Sequence, residues 1–317
     1  MTDILDGLIL LPHLQIENAN GISGPLTWGF PPPSAFTGFV HALHRRMGNE
    51  KIRLDGVGIV CHRFDPQVYK PEGKYEYRFK LARNPVGQDG KPQGIVEEGR
   101  VHLEVSLLIG VYGEFEEERE GENFARRLYH EALSMRLAGG SLRPDPASKR
   151  HTPTYMEMSG TWTGEEQAFR KWRRRLLPGF ALVSRRDLLR ERLAELRQQE
   201  PMTNALEALL DLTCINIEPI VDDAEEPEKA TWHTSRSRPG WLVPLPVGYR
   251  AISPLYEPGE VKNTRDDSTP FRFVECLYSL GEWLSPHRLT HPQEMLWYHE
   301  ADPDTGLYLC EHHRTSS

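Results

Sequence analysis

His41 and His44 are the residues of this sequence whose type and spacing come nearest to acid–base chemistry. They lie three positions apart on the polar side of the first predicted helix, with Arg45 beside them. A histidine so placed can act as general acid or base on a ribose 2′-hydroxyl, as in metal-independent RNA cleavage, or the pair can bind a metal. No acidic residue that would orient them, and no third ligand, lies nearby in the sequence. We therefore expect ordinary histidines of a polar helix face, or histidines that donate hydrogen bonds to RNA.

The sequence lacks the short motifs of common hydrolases and nucleotide-dependent enzymes. It contains no G-x-S-x-G, no H-E-x-x-H, no Walker A motif and no dinucleotide fingerprint. Its cysteines stand alone, and no spacing of Cys and His fits a zinc site. We expect no catalytic residue, no metal and no cofactor, and we expect the thiols to be reduced. The cysteines are Cys61, Cys214, Cys276 and Cys310.

A basic cluster between residues 168 and 186 contains no acidic residue, and Phe169 and Trp172 lie within it. Clustered arginines with aromatic neighbours contact phosphates and stack on bases. The alternative is a helix face whose arginines pair with acidic side chains, with both aromatic residues in the core. The sequence leaves open whether RNA, DNA, a partner subunit or neither faces this cluster. Its basic members are Arg170, Lys171, Arg173, Arg174, Arg175, Arg185 and Arg186.

The pair Gly139-Gly140 follows the second predicted helix and precedes a predicted strand. Glycine tolerates positive φ and lets a phosphate backbone approach main-chain N–H groups. Because the pair follows a helix instead of beginning one, a plain helix C-cap is the alternative. Its place before the last strand of the motif described next favours a loop that contacts phosphate.

The elements that would hold these residues form a βαββαβ order in the first half of the chain. A buried strand over residues 8–16 precedes a helix with Ser34 as predicted N-cap and Gly48 at its end. Strands near residues 57–64 and 100–111, a second helix and a strand near 155–158 complete the order. This is the ferredoxin-like (RRM-like) pattern, with a hairpin insertion near residues 74–81. We assign residues 1–160 to this RNA-binding module.

The second half predicts a mixture of helices and short strands, so the overall fold class is α+β. An acidic linker is predicted near residues 218–240, and a helix is predicted from Thr269 onward with Phe273, Leu277, Leu280 and Leu284 on one face. We assign residues 161–317 to this helical and irregular region.

Length and charge set broad limits on the class of protein. The 317 residues correspond to about two domains of roughly 150 residues each. A hydrophobic share of 38% with 26% charged residues excludes wholesale disorder and coiled coils. The net charge of −8 excludes a uniformly basic surface but allows a local basic groove. No signal peptide or membrane span is visible, and we expect a cytoplasmic protein.

Blocks that run in order along nearly the whole chain resemble the family of second subunits of the Csy complex, the type I-F CRISPR surveillance complex. That family is grouped with the Cas-five repeat-associated RNA-binding proteins. Ordered blocks of this length are far more specific than a short motif. They are NANGISGPLTWGF at 18–30, AFTGFVHAL at 35–43, DGVGIVCHRF at 55–64, EEGR at 97–100, MRLAGGS at 135–141, LPGFALV at 177–183, GWLVP at 240–244 and LSPHR at 284–288.

The resemblance implies a non-catalytic subunit of a CRISPR ribonucleoprotein in antiviral defence. Such a subunit forms a heterodimer with the large subunit, adjoins a backbone subunit and holds the 5′ handle of the CRISPR RNA. The large subunit carries most recognition of the motif that flanks the DNA target, and a separate endoribonuclease cuts the RNA precursor. Contact with target double-stranded DNA near that motif is a further implied role.

We expect RNA contacts from four groups of residues, because single-stranded handle nucleotides can be splayed and stacked. Trp28 is the candidate stacker, and the alternative is that it packs under its own loop. The groups are Asn18, Asn20, Ser23 and Trp28 on the first long loop; Arg63, Arg83 and Asn84 at strand ends; Arg136, Gly139, Gly140 and Ser141 around the glycine pair; and Lys262, Asn263 and Arg265 in a basic turn that would touch the handle or nearby DNA.

Two other functions stay open at this point. One is a metal-independent CRISPR endoribonuclease of the same broad superfamily that uses His41 or His44. The other is a scaffold that binds only protein.

Overall fold

The computed structural model of the chain is a mixed α+β structure with a large antiparallel sheet, which confirms the predicted fold class. Two predicted RNA contacts, Asn84 and Arg265, lie outside the described residues. Most of the predicted acidic linker also lies outside them. The described residues are 5–83, 86–87, 89–144, 151–158, 160–220, 231–235, 238–264 and 266–312.

The first half of the chain contains two helices and the long strands between them. The helix α1 begins with Pro33 at its first position after Pro32 as N-cap, so the predicted Ser34 cap is wrong by two residues. Gly48 ends α1 in the left-handed conformation, as predicted. The elements are β1 (Gly7–Asn20), β2 (Ile22–Gly24), β3 (Thr27–Trp28), α1 (Pro33–Met47), β4 (Arg53–Pro66), β5 (Val68–Tyr69), β6 (Arg78–Phe79), β7 (Leu81–Arg83), β8 (Ile95–Glu97), β9 (Arg100–Tyr112), α2 (Glu118–Leu133), β10 (Arg136–Leu137), β11 (Gly140–Arg143) and β12 (Thr154–Glu157).

The strands of the first half form one antiparallel layer. β9 lies between β1 and β4, while β11 and β12 pair with the other edge of β1. Residues 8–11 of β1 are buried because the layer is covered on both faces. Alternation along a strand puts Ile9 in the core beneath α1 and α2 and puts Leu8 in a second core that contains Phe169.

The second half contributes three further helices and seven strands among the described residues. α3 covers part of the sheet face opposite α1 and α2 through Phe169 and Trp172. The elements are α3 (Trp162–Arg173), β13 (Phe180–Ser184), α4 (Arg186–Gln199), α5 (Ala205–Thr213), β14 (Asn216–Ile220), β15 (Thr231–Ser235), β16 (Leu242–Ala251), β17 (Val274–Leu284), β18 (Leu296–Asp302) and β19 (Leu307–His312).

The sheet closes into a ring in the second half of the chain. β4 pairs with β13 through Cys61 and Val60, and it pairs with β18 through Gly58 and Val57. Because β13, β17, β16, β19 and β18 also pair in that order, these six strands form a closed cycle. The buried Trp297 lies in this cycle and donates from Nε1 to the carbonyl oxygen of Leu182 at 2.8 Å. Because β4 also pairs with β18, no unpaired strand edge remains between these two strands.

The helix predicted from Thr269 is wrong, because residues 274–284 form the strand β17. The apolar residues of this segment are spaced as on a helix, but β17 pairs with β13 on one side and with β16 on the other. Near residues 74–81, where a hairpin insertion is predicted, the structure has short antiparallel pairs. Arg78 and Phe79 form the short β6, which pairs with β5, and a second small pair, β7 with β8, follows.

Candidate nucleic-acid interface

The end of β1 lies beside the hairpin formed by β10 and β11. Glu17 pairs in register with Ser141, and the backbone N–H of Asn20 donates to the carbonyl oxygen of Ala138 at 2.8 Å. β2 and β3 follow Asn20 directly along the chain. The fold therefore gathers Asn18, Asn20, Ser23 and Trp28 with the glycine pair at one end of the sheet. We call this region the handle surface, after the RNA handle that these residues are predicted to contact, and define it as residues 17–28, 136–143 and Arg63.

The two glycines serve different geometric purposes. Ala138 and Gly139 have φ of 50° and 76°, which makes them the centre of a two-residue hairpin turn. A Cβ on Gly140 would lie 2.8 Å from the backbone nitrogen of Ala19 and 2.8 Å from the carbonyl oxygen of Glu17. Only glycine allows β11 to approach β1 so closely. The alternative of a helix C-cap is wrong, because α2 ends at Leu133 and Ser134 is its C-cap.

The two asparagines shape the end of β1 with their own hydrogen bonds. Asn18 has a φ of 59° at a register shift of β1, and its side-chain oxygen accepts a hydrogen bond from Gln67. The side chain of Asn20 accepts from the N–H of Ile22 at 3.0 Å and donates to its carbonyl oxygen at 3.1 Å. Both side chains therefore hold the turn that leads into β2.

Ser23 and Trp28 lie on opposite strands of the β2–β3 pair, in which Trp28 pairs in register with Ile22. The Ser23 hydroxyl donates to Thr27 Oγ1 at 2.9 Å. Trp28 contacts Phe79 edge to face, with ring centroids 5.2 Å apart, and 56% of the tryptophan remains exposed. The ring is thus fixed by one aromatic neighbour and still accessible to a base.

Four arginines provide the positive charge of the handle surface and its border. Arg63 pairs with Asp65 at 2.9 Å, Arg143 with Glu17 at 3.1 Å, and Arg100 with Glu98 at 3.0 Å. Arg136 donates to the carbonyl oxygen of Gly139 at 3.3 Å, and no carboxylate of the described part of the chain pairs with it. The charge on Arg136 is therefore the most available to an anion.

A polar cavity of about 330 Å³ lies between two of these arginines, Arg63 and Arg143. Glu17, Arg63, His102 and Arg143 line it. Sequence reasoning missed Arg143, although it follows Ser141 at a spacing of two and so lies on the same face of the strand. It also missed Arg100, which ends the EEGR block.

The other predicted contacts are not gathered at this place. Arg83 lies in β7, whose partner is β8. Lys262 and Asn263 are exposed in the segment between β16 and β17, and Asn263 has a φ of 61°. No strand pairing of the described ranges joins that segment to the handle surface.

The basic cluster over residues 168–186 is mostly engaged with the protein itself. Arg173 donates to the carbonyl oxygens of His287 and Leu289, and Arg175 donates to Thr154 Oγ1 at 2.7 Å. Arg170, Arg185 and Arg186 pair with Glu166, Glu282 and Glu311 in that order. Phe169 and Trp172 are buried, in line with the core alternative. Lys171 and Arg174 are exposed and have no carboxylate partner within the described ranges.

The histidines of α1 occupy different surroundings. His44 Nδ1 accepts a hydrogen bond from the N–H of Leu54 at 3.4 Å. Burial, with repulsion from His41 and Arg53, lowers the pKa of His44 below its ordinary value. The exposed His41 lies near His299, with ring centroids 5.6 Å apart. Neither His41 nor His44 has a carboxylate partner among the residues described.

An apolar groove of about 630 Å³ runs from the β2–β3 pair to β13 and β16. None of its lining residues within the described chain is Lys, Arg, Asp or Glu. Phe180 and Trp241 are well exposed there and contact each other edge to face, with their ring centroids 5.2 Å apart. We call this region the aromatic groove. Its aromatic members are Trp28, Phe30, Phe64, Phe180, Trp241 and Trp283.

No group of three or more His, Cys, Asp or Glu residues in the described part of the chain is arranged to hold a metal ion. No helix there combines the length and the apolar composition needed to cross a lipid bilayer.

Comparison with known proteins supports the resemblance seen in the sequence. The family model described as CRISPR-associated protein (Cas_Csy2) matches residues 9–310. The CRISPR-associated protein Csy2 of Pseudomonas aeruginosa (strain UCBPP-PA14) is 53% identical over 309 residues, which cover 96% of this chain and 94% of that protein. The predicted resemblance to the second Csy subunit is confirmed, while the wider Cas-five grouping stays a prediction. The chain belongs to the Csy2 family of CRISPR-associated proteins.

Proposed function

We propose that this chain is a non-catalytic subunit of the type I-F Csy complex that holds the 5′ handle of the CRISPR RNA. The observation that carries the proposal is the bond between Asn20 and Ala138, which joins the β1 turn to the glycine hairpin. That bond joins the hairpin that carries Arg136, an exposed arginine with no carboxylate partner in the described structure, to the turn that leads into β2. A cation, main-chain N–H groups and an accessible indole suit single-stranded RNA.

Energetics favour the exchange of carboxylates for phosphates at this surface. Exposed ion pairs such as Arg63–Asp65 and Arg143–Glu17 are each worth about 0.2–1 kcal/mol. Hydrogen bonds to charged groups contribute about 1.5–3 kcal/mol. An RNA phosphate can therefore replace a carboxylate at little cost. The pairs also hold the guanidinium groups in place before RNA arrives, which lowers the entropy lost on binding.

The topology supports a ferredoxin-like module over residues 1–160. The sheet order β11/β12, β1, β9, β4 with α1 and α2 on one face is the order that a βαββαβ unit adopts. Residues 161–317 then form the second region that we propose, although its strands continue the same sheet through β13 and β18. The Cas-five grouping is part of this proposal.

The aromatic groove supports a protein partner, which we propose is the large subunit of the complex. Uncharged walls with exposed tryptophan are typical of the centre of a protein interface. An adjacent backbone subunit and target double-stranded DNA are further proposed neighbours, with Lys262 and Asn263 as candidates for the DNA contact. A cytoplasmic location completes the proposal.

The test is binding of handle RNA by the full chain co-purified with the large subunit. We expect affinity to fall steeply with salt, with a slope of about −0.7 for each phosphate neutralised on single-stranded RNA. An RNA of the same composition in scrambled order serves as control for handle recognition. Association that does not respond to salt would contradict the proposal in favour of a protein-only scaffold. Cleavage of repeat RNA that is lost on His41→Ala or His44→Ala would contradict it in favour of an endoribonuclease.

A further inference from the structure

Three stacked imidazole rings line a second polar cavity, of about 440 Å³, outside the handle surface. The ring centroid of His13 lies 4.0 Å from that of His62 and 3.7 Å from that of His151, and the planes are nearly parallel. Arg174 and Arg175 line the same cavity. Its volume falls within the range of about 300–1,000 Å³ that is usual for ligand pockets. We call it the histidine cavity.

Local irregularities in two strands create the stack. His13 lies at a register shift of β1 and has a φ of 49°, a conformation that is uncommon for a residue other than glycine. His62 lies at a register shift of β4, between Cys61 and Arg63. Bulges of this kind turn a side chain away from the regular alternation of a strand. Both strands thus depart from regular pairing at the positions where they contribute a histidine.

The hydrogen bonds of His62 fix its tautomer and its charge. Its Nδ1 lies 2.7 Å from the carbonyl oxygen of Pro178, so Nδ1 must carry the proton. Its Nε2 then accepts a hydrogen bond from the hydroxyl of Ser106 at 2.7 Å. Burial lowers the pKa of His62 to about 4. The His62 side chain, which lines the cavity, is therefore uncharged at physiological pH.

His13 has a different role in the stack, because one of its nitrogens is unused. Its Nδ1 donates to the Glu104 carboxylate at 2.6 Å, and its side chain is only 10% exposed. Its Nε2 has no hydrogen-bond partner in the described part of the chain. Burial alone would raise the pKa of Glu104, but hydrogen bonds from His13 and Gln15 outweigh it and lower the value. Glu104 therefore stays ionised.

The cations of the cavity differ in how freely they can bind a ligand. Arg175 is tied to Thr154 Oγ1 and to the carbonyl oxygen of Thr152 at 2.6 Å. Arg174 is exposed, and no carboxylate of the described structure pairs with it. The charged or titratable groups around the cavity are His13, His62, His151, Glu104, Arg174 and Arg175. The two arginines are permanently positive, whereas Glu104 contributes a single negative charge. The net charge of the lining therefore favours an anion.

We propose that the histidine cavity binds a backbone phosphate of the RNA through the guanidinium of Arg174, with the rings of His13 and His151 lining the site. The cavity adjoins the handle surface on the same sheet face, because Gln15 contacts Glu104 and also lines the cavity that contains Arg63 and Arg143. A single strand that leaves the handle surface along this face reaches the histidine cavity next. This inference rests on the proposed function.

The test compares Arg174→Gln with Arg170→Gln, an exposed arginine four positions earlier on α3 that does not line the cavity. The full chain is titrated with a short single-stranded oligouridylate, and with its DNA counterpart, over a range of salt concentrations. We expect Arg174→Gln to weaken RNA binding several-fold and to reduce the salt slope by about 0.7, the effect of one lost phosphate contact. A loss with RNA alone assigns the phosphate to the guide, and an equal loss with DNA assigns the cavity to any single strand.

His13→Asn is the second variant, since asparagine tolerates the positive φ of this position while removing Nε2. We expect it to weaken RNA binding as Arg174→Gln does, with an unchanged melting temperature. Arg174→Gln alone decides the result if His13→Asn fails to fold. Binding and salt slope that match those of Arg170→Gln would overturn the inference while leaving the proposed function intact. Failure of the wild-type chain, co-purified with the large subunit, to bind handle RNA would overturn the proposed function itself.

Discussion

The backbone N–H of Asn20 donates to the carbonyl oxygen of Ala138, with 2.8 Å between the two atoms. These residues are far apart in sequence, and the bond makes the end of β1 and the glycine hairpin one structural unit. A change that shifts the hairpin should disturb the whole handle surface.

Gly140→Ala is expected to displace that hairpin. The new methyl group would lie 2.7 Å from Ile16 Cγ2 and 2.8 Å from the backbone nitrogen of Ala19. Overpacking of this kind lowers the free energy of unfolding by about 1–3 kcal/mol. Urea denaturation measures that loss, and RNA titration should show weaker binding. Gly139→Asn is the matched control, because asparagine accepts a φ of 76° and no atom lies within 4 Å of the added Cβ. Equal stability of the two variants would contradict the close approach at Gly140.

Arg136→Gln should weaken handle binding without loss of stability. The arginine is exposed and its one described contact is the 3.3 Å bond to Gly139, so the fold does not depend on its charge. Removal of one phosphate contact reduces the salt slope by about 0.7. Fluorescence anisotropy at several salt concentrations measures the slope. Arg46→Gln is the control, since Arg46 lies on α1 and pairs with Glu131. A slope change of the same size in both variants would mean that net charge alone matters.

Trp241→Ala should separate assembly from RNA binding, whereas Trp28→Ala removes a ring that belongs to both the handle surface and the aromatic groove. Loss of a stacked base costs about 1–3 kcal/mol, so Trp28→Ala should reduce RNA affinity. Trp241 is 53% exposed in the aromatic groove, and a tryptophan buried on binding contributes about 2 kcal/mol or more to a protein interface. Trp241→Ala should therefore weaken co-purification with the large subunit. RNA affinity that falls equally in both variants would show that the groove binds RNA.

The handle surface was largely predictable from the sequence because its residues come from a few continuous blocks. Asn18, Asn20 and Trp28 are close along the chain, and a hairpin next to β1 follows from the βαββαβ order. The partners of the charges were not predictable, since Arg143 pairs with Glu17 across more than a hundred residues. Pattern reasoning reports which residues share a strand face but not which distant carboxylate meets them.

The strand β17 and the histidine cavity show where local patterns are insufficient. Phe273, Leu277, Leu280 and Leu284 fit a helical period, yet pairing with β13 and β16 decides that this segment is a strand. Tertiary contacts override local preference in such short apolar segments. The stack of His13 on His62 depends on two strand bulges, and a single sequence carries no signal for a bulge at either position.

The buried His62 makes stability depend on pH. Burial lowers its pKa to about 4 in the folded protein, whereas an unfolded histidine titrates at about 6.5. Between these values the unfolded chain binds more protons, so the free energy of unfolding falls as the pH decreases. A decrease from about pH 7 to about pH 5 should remove up to about 2 kcal/mol through His62 alone. Urea denaturation at both pH values measures this.

His62→Gln is the control that isolates this contribution. Glutamine can still donate to the carbonyl oxygen of Pro178 and accept from Ser106, but it does not titrate. The pKa values of His44 and His312 are also lowered, chiefly by burial, and both residues remain in the variant. The difference between wild type and variant therefore reports His62 itself. We expect the variant to lose less stability on acidification, and an equal loss in both proteins would mean that His62 takes up a proton in the folded state near its ordinary pKa.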